Sequence, residues 1–120
     1  MTASNIEWIG GSSQPFTQQP VNVPSSGEFL VSGWAVDERS HSVAADVDIV
    51  VGEAVFPAFY GIERPDVEKY FGIAAYRPSG FVVRVSAAAG GSAVSTSSMR
   101  ILAADRSCYY QGASVPFVKR

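Results

Sequence analysis

Apolar and polar residues alternate with a period of two over several short stretches of the chain. In residues 46–51, Val47, Ile49 and Val51 share one side, while Asp46 and Asp48 point to the other. This alternation is typical of a strand with one face in a core and one face in water. The same reasoning predicts strands at residues 28–36, 54–60, 81–85 and 95–104, and two short terminal strands at 107–111 and 115–118.

One segment breaks the alternation and predicts a short helix near residues 65–71. Pro65 and acidic residues stand at its start, Lys69 lies near its end and Gly72 follows it, which is the order that favours a helix. Val67, Tyr70 and Phe71 are spaced to share one helical face. We therefore expect these three side chains to pack against a sheet or to close one end of it.

The chain divides into two parts by its turn-forming residues. Residues 1–27 contain Gly, Pro and Ser clusters and are predicted to form an extended lead-in, with an edge strand at 5–9. Residues 28–120 hold the remaining strands and the helix. Short strands separated by turns indicate an all-β fold, an antiparallel β-sandwich of the jelly-roll or immunoglobulin-like type.

Charge and composition restrict the partners of the chain. Its 120 residues carry a net charge of −2 and no basic cluster, which disfavours nucleic acid as a partner. No stretch has the roughly 20 apolar residues of a membrane span, and no signal sequence is recognisable, so we expect no direct membrane insertion. The one cysteine, Cys108, cannot form an internal disulfide.

The sequence offers no catalytic constellation, and we predict neither an enzyme nor a cofactor or metal site. His41 lies in a polar turn far along the chain from Cys108, which is expected to be a buried or half-buried strand residue. Asp46 and Asp48 could hold a calcium ion or act as paired carboxylates, but a solvent-exposed strand face explains them as well.

Aromatic residues are more informative, since they make up 12% of the chain. Tyr109 and Tyr110 are adjacent, so one of them must face away from the core of a strand. Tyr60 and Tyr76 lie beside turn-forming residues. Exposed tyrosines suit sugar rings or a protein partner, although tyrosines at sandwich corners also bind the backbone and hold loops in place.

Five motifs occur in a characteristic order: residues 32–37 (SGWAVD), 60–67 (YGIERPDV), 79–81 (SGF), 103–105 (AAD) and 109–112 (YYQG). Over residues 28–118 this order resembles the small β-sandwich domains appended to bacterial membrane-embedded glycosyltransferases of the mannosyl- or arabinosyltransferase type. These domains are similar to carbohydrate-binding modules. The resemblance implies a non-catalytic accessory domain outside the cytoplasmic membrane, in the periplasm or at the cell surface. Its implied partners are a glycan, the glycosyltransferase or another envelope protein.

Several motif residues have a structural interpretation. Gly33 allows close approach of another backbone or ring, Trp34 can fill the core and Asp37 can close the following turn. Pro65 and Gly80 are also predicted to have structural rather than ligand-binding roles. The candidate ligand-binding residues are Tyr60, Arg64, Asp66, Tyr76, Tyr109 and Tyr110.

Arg64 precedes a proline and is therefore expected to be extended, within reach of Asp37 or Asp66. Carbohydrate binding is the favoured function. A structural or protein-interaction module of a cell-envelope assembly is the alternative, because one sandwich fold serves many functions.

Overall fold

The computed structural model describes residues 2–10, 21–24, 26–88 and 94–119. The strands in this part of the chain are β1 (Thr2–Ile9), β2 (Val21–Val23), β3 (Glu28–Asp37), β4 (Ser42–Val43), β5 (Asp46–Val51), β6 (Ala54–Pro57), β7 (Phe59–Ile62), β8 (Gly80–Ser86), β9 (Val94–Leu102) and β10 (Tyr109–Lys119). One helix, α1 (Pro65–Phe71), and a 3₁₀ turn, Ala74–Tyr76, lie between β7 and β8.

The strands form two five-stranded sheets. Sheet A has the order β1-β3-β8-β7, with β4 also paired to β3, and sheet B has the order β2-β10-β9-β5-β6. The prediction of an all-β sandwich with one short helix is confirmed. One pair departs from the antiparallel expectation, because β2 runs parallel to β10.

The main core lies between the two sheets, where the alternating residues of each sheet meet. Val47, Ile49 and Val51 of β5 are fully buried, as their spacing predicts. Phe29 of sheet A and Phe117 of sheet B meet edge to face, with ring centroids 5.5 Å apart and an interplanar angle of 61°. This aromatic pair therefore joins the sheets directly.

The sandwich begins earlier than residue 28. Strand β1 is an edge strand of sheet A that includes the predicted 5–9 segment, and β2 is an edge strand of sheet B. Ile6, Ile9, Val21 and Val23 are buried in the main core. The predicted lead-in thus supplies one strand to each sheet.

The prediction of a single strand at 54–60 is wrong. Strand β6 pairs with β5 in sheet B, whereas β7 pairs with β8 in sheet A. The chain changes sheets at Ala58, whose N–H donates to the carbonyl oxygen of Val47 at 3.0 Å. Pro57 ends the edge strand β6, where its missing N–H donor removes no ladder bond.

The helix has the predicted bounds but not all of the predicted contacts. Val67 is buried in a second, smaller cluster with Val36 and Tyr76, on the outer face of sheet A. Phe71 packs against that cluster, whereas Tyr70 is 82% exposed. The prediction that Tyr70 packs against a sheet is wrong, since a helix of two turns covers a small area with Val67 and Phe71 alone.

The C-terminal part also differs from expectation. The two predicted terminal strands form one strand, β10, with an irregular register between Gln111 and Ser114. Cys108 is exposed, so its predicted burial is wrong. The residue lies in a tight turn, where its carbonyl oxygen accepts a hydrogen bond from the Ala103 N–H at 2.9 Å, and this contact holds its backbone rather than burying its side chain.

Asp37 closes the turn after β3, as predicted, and also reaches across the fold. Its fully buried carboxylate accepts hydrogen bonds from the N–H groups of Arg39, at 3.1 Å, and of Ala104, at 2.9 Å. Burial alone would raise the pKa of this carboxyl, but these bonds and one from the Ser40 hydroxyl outweigh burial and lower the pKa.

We expect Asp37→Asn to lower the free energy of unfolding by about 2 kcal/mol at neutral pH, because an amide replaces one acceptor oxygen with a donor. The folded-state pKa of Asp37 lies below its unfolded value, so its contribution is present above about pH 4 and is lost as the pH falls through the folded-state pKa. Urea unfolding at a series of pH values should therefore show the gap between parent and variant closing in acid. A gap that is constant with pH would contradict this role.

Candidate functional site

The outer face of sheet B carries an exposed tyrosine at the start of β10. Tyr109 is 54% exposed. Across the sheet, Gln111 lies opposite Arg100, and Arg100 lies opposite Asp48. Because Met99 and Ile101 are buried in the core, the Arg100 side chain between them projects outward, and Gln111 projects with it.

An ion pair fixes Arg100 against the tyrosine ring. Its Nη2 and Nε lie 2.7 and 3.2 Å from Oδ2 of Asp48, which is only 7% exposed. The guanidinium carbon lies 4.3 Å from the ring centroid of Tyr109. The prediction that both aspartates of β5 face solvent is wrong for Asp48, because Arg100 covers it. The cation thus lies against one face of the Tyr109 ring, and the residue as a whole is more than half exposed to solvent.

These side chains border an open groove of about 380 Å³. Its lining residues are Val50, Ser98, Met99, Arg100, Tyr109, Tyr110 and Gln111. The volume lies in the range of small-ligand sites, roughly 300–1,000 Å³. The lining offers an aromatic face together with hydroxyl, amide and guanidinium groups, a set suited to binding a polar ligand.

Tyr109 and Tyr110 project from opposite faces of β10, as their alternation predicts, because Tyr110 lies opposite the buried Ile101. Tyr110 is half-buried, and the guanidinium carbon of Arg39 lies 5.8 Å from its ring centroid. Arg39 in turn pairs with the exposed carboxylate of Asp105 at 3.5 Å. The Tyr110 ring therefore lies beside the turn after β3, and this residue borders the groove without offering it the stacking face that Tyr109 does.

Tyr60 and Tyr76 are not available as stacking surfaces. The Tyr60 hydroxyl donates to the carbonyl oxygen of Ala35 at 2.6 Å and accepts from the Ala44 N–H at 2.9 Å. Burial raises the pKa of this hydroxyl. Tyr76 is 1% exposed within the second cluster. Tyrosines beside turns were assigned to a ligand, but here their rings fill apolar space, and the hydroxyl of Tyr60 links Ala35 of β3 to Ala44, the residue after β4.

Arg64 and Asp66 lie at the start of α1, beside the outer face of sheet A. Arg64 binds both oxygens of Asp66, at 2.9 and 2.7 Å, and both oxygens of Glu7, at 2.7 and 3.1 Å. Hydrogen bonds from Arg64 hold the pKa of Asp66 below its usual range. Of the two predicted partners of Arg64, the structure provides Asp66, whereas Asp37 binds the backbone of a distant turn. This network ties α1 to β1, and it is separate from the tyrosine groove.

The remaining candidate groups are His41 and the side chains that could ligate a metal. His41 is exposed in the turn after β3, with a left-handed backbone (φ 52°). Among the residues that the structure describes, no three His, Cys, Asp or Glu side chains are placed to hold a metal ion. No helix in those residues is long and apolar enough to cross a membrane.

Sequence reasoning missed the polar members of the groove. Arg100 was covered only by the predicted strand at 95–104, and Gln111 only by a motif. Their signal is the pairing of β9 with β10 and β5, which aligns Gln111, Arg100 and Asp48 in one row. Such a row is invisible until the order of strands in the sheet is known.

The groove and its tyrosines must be interpreted from their own geometry. No protein-family model, no curated protein and no solved structure matches this chain.

Proposed function

We propose that this chain is a non-catalytic domain that binds carbohydrate in the groove on the outer face of sheet B. The observation that carries the proposal is the exposed ring of Tyr109, held in place by Arg100 and bordered by polar side chains. Sugar rings have apolar faces and polar edges, so an aromatic face surrounded by hydrogen-bonding groups complements them.

The charge of the groove favours a neutral sugar. Arg100 is the one cation among the residues that line the groove in the described part of the chain, and Asp48 already pairs with it. An acidic sugar would compete with Asp48 for the guanidinium, and breaking a largely buried ion pair is costly. The Ser98 hydroxyl accepts a hydrogen bond from the Ser114 hydroxyl at 3.1 Å and keeps its own proton to donate, so it and the Gln111 amide can bind sugar hydroxyls at the groove edge.

The setting of this function rests on the resemblance to domains of membrane-embedded glycosyltransferases. We place the domain outside the cytoplasmic membrane, where cell-wall mannans or arabinans are the candidate glycans and the transferase or another envelope protein is the candidate partner. A shallow groove with one main stacking ring predicts weak binding, with a Kd in the micromolar to millimolar range.

We expect Tyr109→Ala to weaken glycan binding at least about tenfold, because it removes the stacking surface. The melting temperature should change little, because the ring is more than half exposed. Calorimetric titration with mannan and arabinan oligosaccharides measures the binding, and thermal unfolding measures the stability.

Tyr70→Ala is the matched control, since it removes another exposed tyrosine from the outer face of the other sheet. It should leave glycan binding unchanged. The proposal fails if no oligosaccharide binds to the parent protein at millimolar concentration. It also fails if both tyrosine variants bind as tightly as the parent does.

A protein-interaction module is the second candidate function, and a different surface favours it. An apolar groove of about 570 Å³ lies where the sheets meet at their edges, lined by Leu30, Phe56, Pro57, Phe59, Val82, Val83 and Arg84. Phe59 is 71% exposed there. Exposed apolar surface of this kind is typical of protein contacts. Phe59→Ser should leave glycan binding intact if the sugar site is the tyrosine groove.

A further inference from the structure

A second aromatic pocket lies on the outer face of sheet A, beside α1, and the proposed glycan site does not use it. It has a volume of about 320 Å³ and is lined by Trp34, Asp66, Val67, Tyr70 and Phe71. Trp34 comes from β3, whereas the other four residues come from the helix. The pocket is therefore built where the helix packs onto the sheet.

The aromatic rings of this pocket stand at steep angles to one another. The Phe71 ring lies 5.7 Å from the Trp34 ring, with an interplanar angle of 73°. It lies 5.0 Å from the Tyr70 ring, with an interplanar angle of 87°. Rings in this arrangement form walls around a compact group rather than one flat surface for a sugar ring.

Tyr70 is the least explained member of the pocket. It is 82% exposed, although Val67 and Phe71 on the same helical face are packed against the sheet. Its burial therefore contributes little to the fold. The Tyr70 ring is therefore an exposed aromatic surface beside the pocket, of the kind that marks a binding site.

The pocket has one charged group among its lining residues, the carboxylate of Asp66. Hydrogen bonds from Arg64 lower the pKa of Asp66, so this carboxylate is ionised at neutral pH. Arg64 is itself shared between Asp66 and Glu7, and the three side chains together carry a net charge of −1. Because Glu7 shares the charge of Arg64, the Asp66 carboxylate at the pocket is not fully neutralised by it.

We propose that this pocket binds an organic cation of the quaternary ammonium type, such as the trimethylammonium group of choline. The faces of aromatic rings attract cations, and this attraction is strongest where the cation is also desolvated. The methyl groups of such a cation contact the Val67 side chain and the rings, while Asp66 supplies the opposite charge. The pocket is also large enough to take part of the chain that carries the cation.

The test compares two ligands of the same shape that differ in charge. Choline chloride and its neutral isostere 3,3-dimethylbutan-1-ol are titrated at constant ionic strength, and the backbone amide and indole N–H signals of the protein are followed by NMR. We expect choline to bind in the millimolar range and the isostere to bind at least about tenfold more weakly. The shifted signals should include the indole of Trp34 and the amides of α1.

Variants separate this pocket from the tyrosine groove. Tyr70→Ala should abolish choline binding without changing the melting temperature, and Asp66→Asn should weaken it several-fold. Tyr109→Ala is the control and should bind choline as the parent does. Three results would each overturn the proposal. Choline and its isostere could bind equally tightly, or choline could still bind to Tyr70→Ala. Alternatively, no NMR signal could shift at a choline concentration about 50 times a millimolar Kd. The choline titrations do not test glycan binding in the groove on sheet B, so the two proposals can fail independently.

Discussion

Phe117→Ala should lower the free energy of unfolding by about 4 kcal/mol. Loss of a fully buried Phe typically costs 3–5 kcal/mol, because the transfer free energy of the ring is lost and a cavity remains. Phe117 is fully buried, and it contacts Phe29 of the opposite sheet. A domain of this size is stable by roughly 5–15 kcal/mol, so this one substitution should remove a large part of the total.

Denaturant unfolding of Phe117→Ala and Phe59→Ala provides the measurement and its control. Both variants lose the same atoms, but Phe59 is 71% exposed and should change stability by less than about 0.5 kcal/mol. Equal losses in the two variants would mean that the aromatic contact between the sheets is not a main source of stability.

Gly33→Ala should be nearly as damaging, although it adds a single methyl group. A Cβ at this position would overlap the carbonyl oxygen of Asn5 and would lie 3.1 Å from the Ile6 Cα, so the obstacle is backbone of β1. The strand cannot move aside without losing its pairing with β3, which is already irregular between Ile6 and Trp8. We expect a loss of about 3 kcal/mol, at the upper end of overpacking effects.

Ser32→Ala is the control for Gly33→Ala, because it places an alanine at the neighbouring residue on the outer face of the same strand. Unfolding free energies measured in urea should differ by at least about 2 kcal/mol between the two variants. If Gly33→Ala is as stable as Ser32→Ala, the close approach of β1 to β3 does not constrain residue 33.

Local patterns predicted those parts of the fold that depend on local chemistry. The helix at Pro65–Phe71 follows from its proline, its terminal charges and Gly72, and β5 follows from strict alternation. The split of 54–60 into β6 and β7 could not be predicted in the same way. Each half looks like a strand on its own, and only the position of the second sheet decides where the chain crosses.

The candidate site was predicted only in part, for a physical reason. A tyrosine has an apolar body and a polar tip, so the same residue type fills a core at Tyr76, secures the backbone at Tyr60 and faces solvent at Tyr109. These three cases cannot be told apart from the sequence, because they depend on which face of a sheet each ring lies against. Similarly, Asp48 appears solvent-exposed from its alternation, and its burial depends on Arg100 of another strand.

The parallel pairing of β2 with β10 has a consequence for the order of folding. Val21 lies beside Phe117 and Val23 lies beside Lys119. Strand β2 therefore pairs with a strand that comes about a hundred residues later in the chain. During synthesis, sheet B cannot acquire its β2 edge until β10 has left the ribosome. Contacts of such long sequence separation also slow folding, because the chain between the two strands must close into a loop before their contact stabilises the fold. We expect the newly made chain to remain vulnerable to proteolysis and aggregation until β2 pairs with β10 and completes sheet B.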